Sequence, residues 1–338
     1  MLPVQIDRAM RSSCPVRRPF KAARAATGGA RLHAGGAGYS NGMSVCGARV
    51  RRAVGAVAVT VLAGVFAGAG VAGAKPGPTQ AHAAVEVERD VAYPTEGFST
   101  STLDAYMRSG AHTAPAIVLV HGGGWQSGDK SGLAGIATAF AAAGFASFSV
   151  NYRLAPAAVY PAAVTDVAAA VRWLREPAQV QRFGIDPARI GLFGVSAGGT
   201  LAASVAMTGE GSLEDGARVR AVATWSAPMA LVKYAVEATP AAPRSAVAVY
   251  LGCEPRACRS RVREASPLAH VDGSDPPMLL VNSRHELVPV EQPRAMAAAL
   301  QVAGVDHKLL LIPGGRHAEQ LGAVALRPTI AFFRRELR

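Results

Sequence analysis

The residues with the clearest chemical potential form a short turn around Ser196. The sequence Gly194-Val195-Ser196-Ala197-Gly198 follows an apolar run and leads into an alanine-rich stretch. The pattern G-x-S-x-G between a strand and a helix is a nucleophile elbow, in which small neighbours allow a sharp turn and the serine hydroxyl projects outward. We therefore predict that Ser196 is a nucleophile.

Three consecutive glycines follow the apolar run of residues 116–120, in the sequence HGGGW. Their unobstructed backbone N–H groups are able to point at one oxygen atom, and fixed N–H donors stabilise the negative oxygen of a tetrahedral acyl-transfer intermediate. The N–H of the residue after the nucleophile is expected to join them. We predict an oxyanion hole formed by Gly122, Gly123 and Ala197.

A base is needed to take the serine proton, and His317 is the candidate. It lies in the sequence PGGRHA, on a glycine-rich loop after the apolar run 308–312. A neutral imidazole accepts the serine proton and returns it to the leaving group. His121, at the start of the glycine loop, is expected to hold that loop. Trp125, at its end, has two open roles: lining the acyl pocket or packing the loop.

The rest of the chain from residue 84 alternates strand-like and helix-like runs. The predicted strands are 85–93, 116–120, 146–151, 190–193, 221–225, 278–282 and 308–312, and the predicted helices are 132–143, 162–174, 198–207 and 326–337. This alternation predicts an α/β fold: a mostly parallel sheet with helices on both faces and the first strand at an edge. The proline-rich residues 226–277 are predicted to form a small lid-like insertion with one or two short helices over the carboxyl ends of the strands, where ligands bind.

Several motifs then occur in one order along the chain: HGGGW, SGDK, NYRLAP, GIDPARIGLFGVSAGG, SPL and a Pro-Pro pair before a strand. In this order they resemble the α/β-hydrolase esterases, in particular the hormone-sensitive-lipase-like and feruloyl-esterase-like carboxylesterases. The resemblance implies an α/β-hydrolase fold, catalytic residues in the order Ser, acid, His, and a small-molecule ester substrate. It implies no metal and no cofactor, and scaffold roles for Arg153 and Asp166.

The acid of this arrangement is expected after the strand 278–282, in the sequence NSRHELVPVEQ. Esterases of this group place an aspartate three residues before the Val-Pro step, where this chain has His285. We choose the adjacent Glu286, because glutamate serves as the acid in this fold and its extra methylene is able to absorb a displacement of one residue. Glu291 is the second candidate, although it is also expected to begin a helix, and Asp306 is the third.

The net charge of +12 is concentrated near the first residues of the chain. Residues 1–83 hold 11 of the 35 basic side chains and one of the 23 acidic ones. Residues 84–338 hold the other 24 basic and 22 acidic side chains, so they are close to neutral. We therefore expect no nucleic-acid partner.

Residues 43–83 contain, in the usual order, the three parts of a secretory signal: a basic segment, an uncharged stretch and a cleavage site. Three arginines precede an uncharged stretch at 53–74, and small-residue cleavage sites end at Ala74 and Ala83. We therefore predict secretion, with a start at Met43. The alternative is a membrane anchor, because the stretch 53–74 is long enough to span a bilayer, although its alanine and glycine content favours insertion only weakly.

Residues 1–42 show no hydrophobic period and are predicted to be a disordered or mis-assigned extension. Cys14 and Cys46 precede the expected cleavage sites. Cys253 and Cys258 remain in a polar loop, and in an exported protein this pair predicts a local disulfide.

The leading interpretation is a secreted serine carboxylesterase of residues 84–338 that hydrolyses short acyl esters through an acyl-enzyme. One alternative is an amide hydrolase of the kynurenine-formamidase type, which has a similar glycine loop. Another is an inactive hydrolase fold used for binding, which only the displaced acid favours. Acyl chain length and oligomeric state stay open.

Overall fold

The computed structural model describes residues 84–95, 100–110, 113–237 and 242–338. The chain divides into two units, Met1–Ala74 and Lys75–Arg338, and all described residues lie in the second. The predictions for residues 1–42 and 43–83, with Cys14 and Cys46, lie outside the described residues. Among the described helices, none combines the length and the apolar character needed to cross a membrane.

The described strands form one eight-stranded sheet in the order β1-β2-β4-β3-β5-β6-β7-β8. Their bounds are β1 Val85–Pro94, β2 Thr100–Arg108, β3 Ala114–Val120, β4 Ala146–Val150, β5 Ile185–Val195, β6 Ala221–Trp225, β7 Met278–Ser283 and β8 His307–Ile312. Strand β2 pairs antiparallel with β1 and with β4, and all other neighbours are parallel. The mostly parallel sheet with β1 at its edge confirms the sequence prediction.

Strand β2 is absent from the sequence prediction, and its buried charge explains the omission. Asp104 interrupts the apolar pattern of this strand, yet its side chain is fully buried. The ammonium of Lys130, also buried, lies 2.8 Å from the Asp104 carboxylate. A paired charge offsets much of the cost of leaving water, so a sequence that looks polar occupies an interior strand.

Helices cover both faces of the sheet. Their bounds are α1 Ala134–Ala142, α2 Ala162–Leu174, α3 Pro177–Phe183, α4 Ala197–Thr208, α5 Leu231–Glu237, α6 Ala242–Leu251, α7 Arg259–Glu264, α8 Glu291–Ala303 and α9 Gly322–Glu336. The prediction of a helix over 132–143 was wrong about its first residues, because Lys130–Leu133 form a 3₁₀ turn and α1 begins after it. Helix α3 was not predicted, because a seven-residue segment carries too little periodicity.

The two faces of the sheet bury alternate side chains of the same strands. In β3, Ile117 and Leu119 pack in one cluster with residues of α1 and α9. Val118 and Val120 pack in the other cluster, with residues of α2, α4 and α8. This double coverage explains why the parallel strands are nearly continuous apolar runs.

The insertion between β6 and β7 contains three short helices, α5, α6 and α7, and a 3₁₀ turn at Pro267–His270. The prediction of one or two helices was therefore wrong, because the prolines and short lengths hide the helical period. A disulfide joins Cys253, after α6, to Cys258, before α7, which confirms the predicted pairing. The insertion brings side chains of α5 and α6 to the cavity beside Ser196.

Candidate active site

Ser196 occupies the turn between strand β5 and helix α4. Its backbone has φ 51° and ψ −124°, a conformation that a residue with a side chain adopts only at a cost of about 1–3 kcal/mol. The turn requires glycine on both sides. A Cβ at Gly198 would lie 2.2 Å from the carbonyl oxygen of Val120, and one at Gly194 would lie 2.3 Å from that of Gly198. The local sequence thus folds the chain into the elbow that the pattern predicts.

His317 approaches Ser196 from the loop after β8. Its Nε2 lies 3.0 Å from Ser196 Oγ, and its Nδ1 lies 2.5 Å from Glu286 Oε2. The three side chains therefore form a continuous hydrogen-bonded line from a hydroxyl through an imidazole to a carboxylate. This is the geometry in which a serine is activated by a histidine that an acid orients.

Glu286 lies just after β7, and its side chain is fully buried. Its Oε1 accepts hydrogen bonds from Ser283 N and from Ser226 Oγ, both at 2.9 Å. The Ser226 hydroxyl also accepts from Ala318 N at 2.9 Å. These donors, with the imidazole of His317, replace the water that a buried carboxylate loses.

The other acid candidates lie elsewhere. Glu291 is an exposed residue at the start of α8, as its helix-starting role predicts. Asp306 is exposed and pairs with Arg335 at 3.3 Å. His285, at the position where the resemblance implies an aspartate, is exposed as well. The structure therefore brings Glu286, and neither Glu291 nor Asp306, to His317.

The glycine loop passes directly above the elbow. A Cβ on Gly122 would lie 3.2 Å from Ser196 Cβ, and Gly123 has φ 114°, which favours glycine. Ala197 is the first residue of α4, where N–H groups have no acceptor within the helix. Within the described part of the chain, no protein group accepts from the N–H groups of Gly122, Gly123 and Ala197. Three N–H donors without a protein acceptor therefore lie on the elbow and on the glycine loop beside it.

His121 holds the glycine loop in place. Its ring stacks on Tyr152 at 4.3 Å, its Nδ1 lies 2.7 Å from Gly122 O, and the Tyr152 hydroxyl donates to His121 O at 2.9 Å. Burial lowers the pKa of His121, so the ring is neutral and its Nδ1–H donates to the Gly122 carbonyl. These contacts match the loop-holding role expected for His121.

The two residues expected to be scaffold form an ion pair between a partly exposed arginine and a buried aspartate. Arg153 Nη2 lies 2.7 Å from the carboxylate of Asp166, which is fully buried on α2. The backbone N–H of Arg153 also donates to the same carboxylate at 2.9 Å. Asp166 thus anchors the segment after β4 to α2.

Comparison with known proteins now assigns the family. The family model described as BD-FAE matches residues 103–300, which is more than half of the chain. The chain belongs to the BD-FAE family. The matched residues include Ser196 and Glu286, whereas His317 lies beyond them.

Individual relatives and solved structures agree with this assignment. The chain is 29% identical to Esterase LipC of Mycobacterium tuberculosis over 253 residues, covering 66% of this chain and 60% of LipC. A carbohydrate esterase from gut microbiota, solved in truncated form, is 27% identical with a TM-score of 0.66, covering 77% of this chain and 99% of the other. The carboxylesterase EstE1 from a metagenomic library is 26% identical with a TM-score of 0.64, covering 75% and 90%.

These matches confirm the α/β-hydrolase fold and the carboxylesterase resemblance that the motifs indicate. The chain spans 60% of the length of LipC and 50% of that of a second curated relative, the probable carboxylic ester hydrolase LipM of Mycobacterium tuberculosis.

A cavity of about 190 Å³ opens beside Ser196. Trp125 lines this cavity and also stacks on Tyr250 of α6, with ring centroids 4.7 Å apart. Trp125 therefore both lines the cavity and packs the glycine loop against the insertion. The lining residues are Gly124, Trp125, Ser196, Ala197, Pro228, Tyr234, Ala246 and Leu287.

Two site residues escaped the sequence analysis, Ser226 and Tyr234. Both belong to the segment predicted only as an insertion, and no motif marks them. Ser226 lies 60 residues from Glu286 and 92 from Ala318 in sequence, so its hydrogen bonds appear only once the fold places β6 next to β7. Tyr234 reaches the cavity in the same way, from α5.

Proposed function

We propose that this protein is a serine carboxylesterase that hydrolyses short acyl esters with Ser196, His317 and Glu286. The main observation behind this proposal is the line of hydrogen bonds from Ser196 Oγ to His317 Nε2 and from His317 Nδ1 to Glu286. The proposal is supported by the family and by similar proteins, among them an esterase and a carboxylesterase.

The first half of the proposed reaction forms an acyl-enzyme. His317 Nε2 takes the proton of Ser196 as Oγ attacks the ester carbonyl carbon. The carbonyl oxygen becomes negative and accepts hydrogen bonds from the N–H groups of Gly122, Gly123 and Ala197. His317 then gives its proton to the departing alcohol oxygen, and the C–O bond of the ester breaks. The carboxylate of Glu286 stabilises the imidazolium between these steps.

The second half releases the acid. A water molecule takes the place of the alcohol, gives a proton to His317 and attacks the acyl carbon. The same N–H groups hold the second oxyanion, and the proton returns to Ser196 Oγ as the acyl–serine bond breaks. The enzyme recovers its starting state, and the products are one alcohol and one carboxylic acid.

The acyl group that fits is small. Ligand pockets for drug-sized molecules measure about 300–1,000 Å³, whereas the cavity beside Ser196 measures about 190 Å³. Trp125, Pro228 and Leu287 give it apolar walls. We therefore propose that the substrates are esters with short acyl chains.

The proposed location is outside the cytoplasm. The arginines and uncharged stretch of residues 43–83 support export, and the Cys253–Cys258 disulfide fits an oxidising compartment. Amino-terminal sequencing of protein recovered from the culture medium tests this proposal. We expect a sequence that begins after Ala74 or Ala83. A protein found only in the membrane fraction would favour the anchor instead.

The catalytic proposal is tested with Ser196→Ala. We expect hydrolysis of p-nitrophenyl butyrate to fall by about 10³-fold or more, because the acyl-enzyme no longer forms. A fluorophosphonate probe should label the unmodified chain at Ser196 and leave the variant unlabelled. Activity retained by the variant, or a chain that reacts with neither ester nor probe, would contradict the proposal.

A further inference from the structure

One hydroxyl in the cavity has no part in the chemistry above. Among the described lining residues, Ser196 and Tyr234 carry hydroxyls, and Tyr234 is 4% exposed. Within the part of the chain that the structure describes, the Tyr234 hydroxyl has no hydrogen-bond partner and, unlike the Tyr250 hydroxyl, it is not fully enclosed. Trp125 and Leu287 form apolar walls of the same cavity. The hydroxyl therefore depends on water or substrate for its hydrogen bond.

The helix that carries this hydroxyl is firmly anchored at its start. The buried side-chain oxygen of Gln292 accepts from Met229 N at 2.9 Å and from Ala230 N at 2.8 Å. Ser266 Oγ accepts from Leu231 N at 3.0 Å. These bonds satisfy N–H groups at the start of α5 that have no acceptor within the helix. The backbone that carries Tyr234 is thus anchored at the start of its helix, as a residue that makes a specific contact requires.

The hydroxyl stays protonated and can donate. Burial, with a smaller effect of the nearby Glu286 charge, raises the pKa of Tyr234 to about 12. A neutral tyrosine offers one O–H donor to an oxygen acceptor.

We propose that Tyr234 is a specificity-determining residue that selects short acyl groups carrying a neutral oxygen acceptor, such as an ether, hydroxyl or keto oxygen. This inference rests on the proposed esterase function. A purely alkyl acyl group displaces water from the hydroxyl and leaves it unpaired, which is costly in an enclosed site. An oxygen in the acyl chain restores the bond. None of the described lining residues carries a charge, so a neutral group is favoured over a carboxylate or phosphate.

The test compares esters that differ by one atom. In p-nitrophenyl methoxyacetate an oxygen replaces one methylene of p-nitrophenyl butyrate, and p-nitrophenyl 3-methoxypropionate pairs with the pentanoate in the same way. The kcat/KM ratio of ether to alkyl ester is measured for the full chain and for Tyr234→Phe. Because each ester has its own intrinsic reactivity, the change of the ratio between the two proteins is the quantity that counts.

We expect the ratio for at least one pair to fall about tenfold in Tyr234→Phe, since a site built to hydrogen-bond a substrate group discriminates through that bond. Tyr250→Phe is the matched control. The Tyr250 hydroxyl also has no partner among the described residues, but Tyr250 does not line the cavity, so its loss should leave the ratio unchanged.

Three results would overturn the inference. The ratio could stay the same in Tyr234→Phe, or it could fall equally in Tyr250→Phe, which would assign the effect to packing of the insertion. The effect could also be confined to an alcohol-side pair, 2-methoxyethyl acetate against butyl acetate, which would place the contact on the wrong half of the ester. Each of these leaves ester hydrolysis intact, whereas failure of the proposed function abolishes turnover of every ester.

Discussion

Replacing Ser226 by alanine removes the link between the acid and the histidine loop. The Ser226 hydroxyl is fully buried, donates to Glu286 Oε1 at 2.9 Å and accepts from Ala318 N at 2.9 Å. Ala318 directly follows His317. The hydroxyl thus ties the carboxylate to the backbone that carries the imidazole, and Ser226 neither hydrogen-bonds Ser196 through this hydroxyl nor is among the residues that line the cavity.

The size of the effect follows from these two bonds. A hydrogen bond to a charged group contributes about 1.5–3 kcal/mol, and a buried N–H left unpaired costs about 1–3 kcal/mol. Without the hydrogen bond from Ser226, the Glu286 carboxylate is positioned less well for the transition state. If the whole energy of that bond is lost there, kcat falls about 10- to 100-fold. We expect KM to change little, because Ser226 is not among the residues that line the cavity. The free energy of unfolding should fall by about 2 kcal/mol.

Steady-state kinetics with p-nitrophenyl butyrate and thermal unfolding measure both effects. Thr329→Val is the control, because Thr329 Oγ1 is also buried, accepts from Trp225 Nε1 at 3.0 Å and donates to Ala325 O at 2.7 Å. This variant should lose comparable stability and keep kcat within about twofold. If Ser226→Ala lost stability but kept the kcat of the unmodified protein, the reasoning would be refuted.

Three further outcomes are expected. Glu286→Gln should lower kcat by roughly 10³-fold or more, because the charge that orients the histidine is lost, while Glu291→Gln should change kcat by no more than about twofold. A larger loss of kcat in Glu291→Gln would show that Glu286 is not the acid. Gly123→Ala should lower kcat about 100-fold and destabilise the fold. The φ of Gly123 is 114°, and a Cβ there would lie 2.0 Å from the carbonyl oxygen of Ser127. An unchanged kcat would contradict the oxyanion assignment. Replacing Cys253 and Cys258 together by alanine should lower the free energy of unfolding by about 2 kcal/mol, read from denaturant unfolding, and an unchanged midpoint would show that the short loop constrains little.

The elements that the sequence predicts well are those whose signal is local. The elbow around Ser196 follows from glycines within two positions of the serine, and the buried parallel strands follow from continuous apolar runs. His317 follows from its place on a glycine-rich loop after the last strand. In each case the physical cause lies within a few residues of the feature.

The elements that the sequence missed depend on distant partners. Strand β2 contains Asp104, whose burial is explained by partners on other segments, above all the buried ammonium of Lys130. Glu286 itself was predicted, but the donors that hold its carboxylate were not, because Ser226 lies far away in sequence and Ser283 donates through its backbone. Tyr234 carries no local pattern at all. Long-range polar contacts of this kind leave no periodic trace in a sequence.

The stack of Trp125 on Tyr250 has a consequence for engineering. It joins the glycine loop of residues 121–125 to the insertion across a ring contact of 4.7 Å, so a change in the insertion is transmitted to this loop. An insertion grafted from another hydrolase without this ring would also remove a contact of the loop that we propose to hold the oxyanion. A successful exchange must therefore carry an aromatic ring at the position of Tyr250, or replace Trp125 together with the graft.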